Sequence, residues 1–328
     1  MKYSFSGPLA SFIERHLQLQ RSLGFRQRHA TYTLAAFDRY LIEHFPMAQQ
    51  VSRPMLVGFL KTMSHLNNHT QCLRLSQLRQ FCRFLFQLDA ESYVPGGDLL
   101  LRRQQTLSPY LYSLAEVTAL MQLAGQLKPV YALRRESCET LIGLLWVTGL
   151  RIGEALRLNL EDVDLEQQLL RINEAKHHKS RLVPLSASAA LALNSYAELR
   201  AQHRYDTQPT APFFVCLNGQ RWKYDTIRNI FGCLVRQLGL RNKQGQPPRL
   251  HDLRHSFATR CLAGFYQSGK DPNSYLPVLA TYLGHACVTY TALYLHPQPD
   301  LLEVAGARLW SHIHQLDDLS VGGAHASY

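Results

Sequence analysis

Acidic residues are scarce in this chain of 328 residues: 24 Asp and Glu stand against 35 Lys and Arg, a formal net charge of +11 before any contribution from 15 histidines. The imbalance points to a polyanionic partner held through phosphate contacts and counterion release, although charge alone does not separate DNA from RNA or an anionic membrane. Long hydrophobic runs are also missing. The most apolar stretch, around Leu141 to Val147, is far short of the roughly 20 residues that span a bilayer. The first residues lack the apolar centre of a signal peptide, so a soluble, cytoplasmic protein without membrane partners is expected. No C-x-x-C pair occurs among the seven scattered cysteines, which fits reduced thiols better than a disulfide framework. His177 and His178 have no cysteine at ligand spacing, so no metal site is expected. What is present is a hydrophobic share of 46%, enough to build packed cores over a length that suits two domains.

The first part reads as successive helices over about Pro8 to Leu23, His29 to Phe45, Arg53 to Leu66 and Thr70 to Leu88, with apolar residues recurring at three and four. The last sets Leu73, Leu78, Phe81, Leu85 and Leu88 against Arg74, Arg79 and Arg83; this basic face is equally compatible with solvation and with phosphate contact. Pro95 and the pair Gly96-Gly97 then break any helix, and Arg102-Arg103 follow, which places a basic linker at 96–112 between a helical domain at 1–95 and a second unit at 113–310. That second unit opens at Ser113-Leu-Ala-Glu116, a capping-box pattern. A helix through Leu141 to Val147 stops at Gly149. Leu169 to Ile172 and Arg181 to Leu185 read as two short strands around a polar turn, and most of the chain from Tyr224 onward reads as helix. The tail at 311–328 is weakly patterned.

Four separated segments concentrate residues suited to phosphate chemistry. Thr148-Gly-Leu-Arg151-Ile-Gly-Glu154 puts an arginine after a glycine break, where a guanidinium can be held rigidly and bind phosphoryl oxygens in bidentate fashion. Lys176-His-His-Lys179-Ser-Arg181 is a basic turn between strands; it could be a solvated hairpin tip or carry a lysine that donates a proton to a departing oxygen. His251 and Arg254 fall three apart and share a helix face. Leu283-Gly-His285 is followed by Tyr294 on a helical stretch from Val288 to Leu295. Singly, each has an ordinary explanation as a surface arginine, an ion-pair partner or a core tyrosine.

Together, T-G-L-R-x-x-E with Arg151, the lysine hairpin ending R-L-V-P-L, H-x-L-R-H-S, L-G-H and a final tyrosine resemble, in order and local context, the tyrosine recombinase or phage-integrase family across roughly Ser113 to Trp310. The helical region before them is similar in length to that family's core-binding domain. The resemblance implies a mainly α fold with a small β-sheet, in which a helical DNA-binding domain and a mixed α/β catalytic domain form a C-shaped clamp around duplex DNA. It implies a site-specific recombinase that cuts and rejoins DNA through a covalent 3′-phosphotyrosine, without metal, ATP or other cofactor. Type IB topoisomerase-like nicking and resealing, and a DNA-binding accessory protein without catalysis, are the competing functions.

The resemblance makes Tyr294 the nucleophile, with Arg151 and Arg254 on the non-bridging oxygens, His285 hydrogen-bonded to the phosphate and His251 assisting proton transfer. Lys176 is the expected general acid and Lys179 the fallback. Tyr290 lies one helical turn before Tyr294 but does not match the family's spacing of about nine residues after the L-G-H histidine. Arg74, Arg79, Arg83, Arg102, Arg103, Lys179 and Arg181 are expected to contact DNA. The implied assembly is a homo-tetramer on two recombination sites, alone or with related recombinases, in a bacterial nucleoid, with the segment around Leu301 to Trp310 docking on a neighbour; its apolar residues Leu301, Leu302, Val304 and Leu309 fit an intramolecular core helix equally well. Two departures stand out: a long stretch from Arg254 to His285 containing Gly269-Lys-Asp-Pro-Asn273, and Ala175 in place of the usual glycine or threonine beside the hairpin lysine. The longer form and Leu276-Pro-Val-Leu279 are similar to recombinases carried on mobile elements.

Overall fold

The computed structural model describes residues 3–25, 28–89, 91–97, 99, 109–128, 133–175, 179–216, 219–268, 272–285, 287 and 291, with the side chains at 28, 174, 175, 179, 272 and 273 left out. Arg102, Arg103, Lys176, Tyr290, Tyr294, the Lys179 side chain and the segment at 301–310 lie outside the described residues. The chain divides into two units, Met1–Leu107 and Ser108–Tyr328. The described residues are mainly helical, with one small sheet. Among them no helix is long and apolar enough to cross a membrane.

The first unit holds α1 (Ala10–Ser22), α2 (Arg28–His44), α3 (Arg53–Thr62) and α4 (Asn68–Leu88). Apolar residues one turn apart give each helix its inner stripe: Ile13 and Leu17 on α1, Leu34, Phe37 and Leu41 on α2, Leu78, Phe81 and Leu85 on α4, all buried in one core. Helix α3 stops at Thr62, short of the Leu66 expected from periodicity, because residues 63–66 close tight turns, with the Leu66 amide donating to the Met63 carbonyl. Helix α4 starts where the Asn67 side chain accepts from the Thr70 amide at 2.8 Å.

The second unit contains α5 (Leu114–Gly125), α6 (Arg134–Thr148), the short α7 (Ile152–Ala155), strands β1 (Val163–Asp164), β2 (Leu169–Ala175) and β3 (Lys179–Pro184), then α8 (Ala187–Gln202), α9 (Tyr224–Gln237), α10 (Leu250–Gln267) and α11 (Pro272–Leu283). The Ser113 hydroxyl accepts from the Glu116 amide while the Ser113 amide donates to Glu116, the reciprocal pair that opens α5. Both strand pairings are antiparallel in the order β1-β2-β3, with Leu170 opposite Val183 and Ile172 opposite Arg181. Leu170, Ile172 and Val183 are buried and Arg171 is exposed, the alternation of a one-sided sheet. The sheet joins a core shared with α5, α6, α8 and α9. A smaller cluster of Ala258, Leu262, Leu276, Leu279 and Leu283 packs α11 on α10, and this contact sets where the chain after Leu283 emerges.

Gly149 ends α6 in the left-handed region at φ 61°, and a Cβ there would stand 2.4 Å from Cδ1 of Phe257. Gly149→Ala is therefore expected to cost about 2–4 kcal/mol, from the left-handed backbone and the ring clash. Gly153→Ala, whose nearest atom would be an Arg157 guanidinium nitrogen at 3.6 Å, should be neutral or mildly stabilising; urea unfolding of both variants checks the pair.

Candidate active site

Four of the residues expected to act on phosphate converge on the end of α11 or on the facing turn of α10. Arg254, on the second turn of α10, is only 1% exposed. It donates to the Gly149 carbonyl at 2.8 Å and to the Leu283 carbonyl at 2.5 Å, and meets Nε2 of His285 at 2.9 Å. Arg151, just before α7, donates to the Gly284 carbonyl at 3.0 Å and reaches the Leu283 carbonyl at 3.5 Å. The last carbonyls of a helix have no partner within it and carry the negative end of its dipole, so they are suited to hold guanidinium groups. Two arginines 103 positions apart thus lie beside each other because one helix end accepts from both.

A buried carboxylate completes the cluster. Glu154 accepts from the Arg151 guanidinium at 2.8 Å and the Arg151 amide at 3.1 Å, and from Arg181 at 2.8 and 3.3 Å. Burial pushes the carboxyl upward, but Arg181 first and Arg151 second outweigh it and hold its pKa down at about 2. The Arg181 guanidinium also donates to the Tyr282 carbonyl at 2.7 Å. Its side chain is 10% exposed and is turned into the protein. Sequence reasoning gave no role to Glu154, although it stands inside the T-G-L-R-x-x-E motif.

His285 has a defined tautomer. An arginine can only donate, so Nε2 of His285 accepts from Arg254, and Nδ1 carries the proton given to the Thr291 hydroxyl at 2.8 Å. Desolvation, followed by Arg254 and Arg151, holds its pKa down at about 4. His251 and His255, one turn apart on α10, meet edge to face at 4.9 Å. Desolvation lowers His251 to about 4, aided by His255 and Arg254. His251 is exposed at the surface, so water weakens part of that desolvation; the charges of Arg254 and Arg249 push the same way and Asp252 opposes them. His255 is also held near 4, by desolvation first; Asp252 opposes the shift while Arg249 and Arg254 add to it.

These histidines bind fewer protons folded than unfolded between pH 6.5 and about 4, so stability falls on acidification through that window. Glu154 contributes stability above pH 4.5, which is lost as pH falls from there toward 2. The melting temperature is expected to drop between pH 7 and 5, as followed by circular dichroism. A flat profile would mean that the imidazoles ionise as freely folded as unfolded.

The other expected DNA contacts divide. Arg74 lies over the Tyr32 ring, 5.2 Å from its centroid, and Arg79 donates to the Pro95 and Gly96 carbonyls at 2.7 and 2.6 Å. Arg83 is exposed. The first two guanidiniums therefore serve internal contacts, and Arg79 ties the chain leaving α4 back onto that helix.

A family model, the phage integrase family, matches residues 114–300, more than half of the chain. The chain belongs to the phage integrase family. The match spans the elements that carry Arg151, Glu154, Arg254 and His285. Among relatives of this chain, a candidate integrase/recombinase of Sinorhizobium fredii, y4rB, is 35% identical over 90% of this chain and 95% of its own. The tyrosine recombinase XerC of Pelobacter propionicus is 28% identical over 88% and 91%. In fold, the chain is similar to the Tn1549 transposon integrase in complex with transposon right end DNA, with a TM-score of 0.66, 18% identity and coverage of 91% of this chain and 99% of that one. It is also similar to the XerH site-specific recombinase bound to difH substrate, with a TM-score of 0.60, 21% identity and coverage of 86% and 79%.

Proposed function

We propose that this phage-integrase family member is a site-specific recombinase that cuts and rejoins DNA at recombination sites by way of a covalent 3′-phosphotyrosine on Tyr294. The observation that carries the reading is the convergence of Arg151, Arg254 and His285 on the carbonyl end of α11. The Arg151 side chain is 27% exposed, so part of its fork remains open to an incoming anion. A phosphate there would take hydrogen bonds from both arginines and would spread the charge that builds on the non-bridging oxygens as the tyrosine attacks. His251, on the same turn as Arg254 and open to solvent, is suited to accept a proton while neutral. His285 would exchange its contact with Arg254 for one with the phosphate, whose negative charge raises the basicity of the ring. Lys176 on the hairpin turn, with Lys179 as the alternative, would protonate the departing 5′ oxygen. Since the phosphotyrosine conserves the bond energy, resealing needs neither ATP nor a metal.

In this reading the unit before the phage integrase match binds DNA, Arg83 and the basic linker with Arg102 and Arg103 contribute phosphate contacts, and four copies act on two sites in the bacterial nucleoid. The relationship to an integrase/recombinase and the fold likeness to a transposon integrase support integration or excision of a mobile element as its task. The test is a set of nicked duplexes covering the DNA ends that flank the gene's own element. Wild type should yield a denaturant-stable protein–DNA adduct on one of them. Tight binding without any adduct would count against the catalytic reading, and relaxation of supercoils without recombinant products would favour a topoisomerase-like activity.

A further inference from the structure

The network around Glu154 contains an arginine that the proposed chemistry does not use. Arg181 stands on β3, opposite Ile172 of β2. Its guanidinium bonds to two other elements, donating to both oxygens of Glu154 on α7 and to the Tyr282 carbonyl near the end of α11. Gly284 makes room for it: at φ 68° the missing Cβ would lie 2.7 Å from Nη1 of Arg181. The Glu154 oxygen that takes 2.8 Å from Arg151 is the same one that Arg181 reaches at 3.3 Å. One carboxylate therefore carries both arginines, and neither can shift without disturbing the bonds of the other.

We propose that Arg181 is a positioning residue for strand cleavage, locking Arg151 through Glu154 and fixing β3 to the end of α11. The geometry supports each half separately. Arg151 is partly exposed and would lose one of its anchors if its guanidinium lost Glu154; Arg181 holds Glu154 by two parallel bonds, so the carboxylate presents one oxygen to the Arg151 guanidinium and the other to its amide in a fixed direction. On the other side, the apolar residues Leu170, Ile172 and Val183 seat one face of the sheet in the core, and Arg181 adds a polar tie from β3 to a different element. The bond from Arg181 to the Tyr282 carbonyl, two residues before the Gly284 carbonyl that holds Arg151, ties the root of the hairpin to the helix end on which the arginines gather. Lysine cannot replace the fork: a single ammonium can reach the carboxylate or the carbonyl but lacks the planar set of donors that spans both. A misplacement of about 1 Å at such a site is enough for a loss on the order of 100-fold.

This inference rests on the recombinase reading, and one set of measurements separates the two. Single-turnover adduct formation and DNA affinity are compared on the same nicked duplex for wild type, Arg181→Met, Arg181→Lys, Glu154→Gln and the Glu154→Gln/Arg181→Met double variant, with melting temperatures recorded for each. Methionine keeps the aliphatic stem and removes the guanidinium. Cleavage by Arg181→Met should fall about 100-fold while affinity changes less than about threefold, with Arg181→Lys in between. The double variant should be no slower than the slower single variant, because both substitutions break one linkage. Wild-type rates in Arg181→Met, equal rates for methionine and lysine, or additive losses in the double variant would each overturn the proposal while leaving the recombinase reading intact. Should Arg181→Met fail to fold, Arg181→Lys decides alone: about a tenfold loss is expected, and a wild-type rate overturns it. No adduct from wild type overturns the recombinase reading and this inference together.

Discussion

Tyr294→Phe is expected to abolish the covalent adduct, a loss on the order of 10⁴-fold or more, because removal of a nucleophile leaves only binding and electrostatic contributions. DNA affinity should change little, since one hydroxyl is a small part of a binding energy dominated by phosphate contacts. Tyr290→Phe, four positions earlier in the sequence, should still form the adduct. Denaturing gels of the three proteins on a nicked duplex, with peptide mapping of the wild-type product, give the answer; an adduct mapped to Tyr290 would transfer the role.

Substitution of Arg254 is expected to have the second-largest effect, and to divide it between stability and rate. The side chain is buried and its donors serve the carbonyls of Gly149 and Leu283. In Arg254→Ala the Gly149 carbonyl loses the guanidinium and the Leu283 carbonyl keeps only the long contact with Arg151 at 3.5 Å. Each unsatisfied buried group costs about 1–3 kcal/mol, so a destabilisation of about 2–5 kcal/mol should be visible in urea unfolding. Arg254→Lys restores one donor and the charge, recovers part of the stability, and should still cleave about 100-fold or more slower than wild type if, as proposed above, its fork binds the phosphate. Near-wild-type cleavage by the lysine variant would show that charge alone is required there.

The helices of the first unit were legible because their apolar residues recur at helical spacing, and α5 because Ser113 and Glu116 cap each other. The stop of α6 at Gly149 could be read from the glycine. Periodicity says which face of a helix is polar but not what a polar side chain will touch, so the basic face of α4 could not be resolved into Arg74 over Tyr32, Arg79 on the chain at Pro95 and Gly96, and Arg83 in solvent. The same limit hid the inward turn of Arg181. Its partners, Glu154 and the Tyr282 carbonyl, lie 27 positions before it and 101 after it, and nothing in the local sequence distinguishes that arginine from a solvated one. The motifs identified which residues belong together; the means of assembly, carbonyls at the end of α11 and one buried carboxylate, emerged only from the fold.

The direction of α10 and α11 also bears on how this chain can change in length. Arg254 stands near the start of α10 and the accepting carbonyls at the close of α11, so the far end of α10 at Gln267, where the chain leaves for α11, lies about 20 Å along the axis of α10 from Arg254. Residues added or removed there leave the packing of Leu262 on Leu279 and the anchoring of the arginines where they are. A long spacing between the H-x-L-R and L-G-H motifs is thus no measure of how far apart Arg254 and His285 stand, and diversification can proceed at that connection without reaching the chemistry.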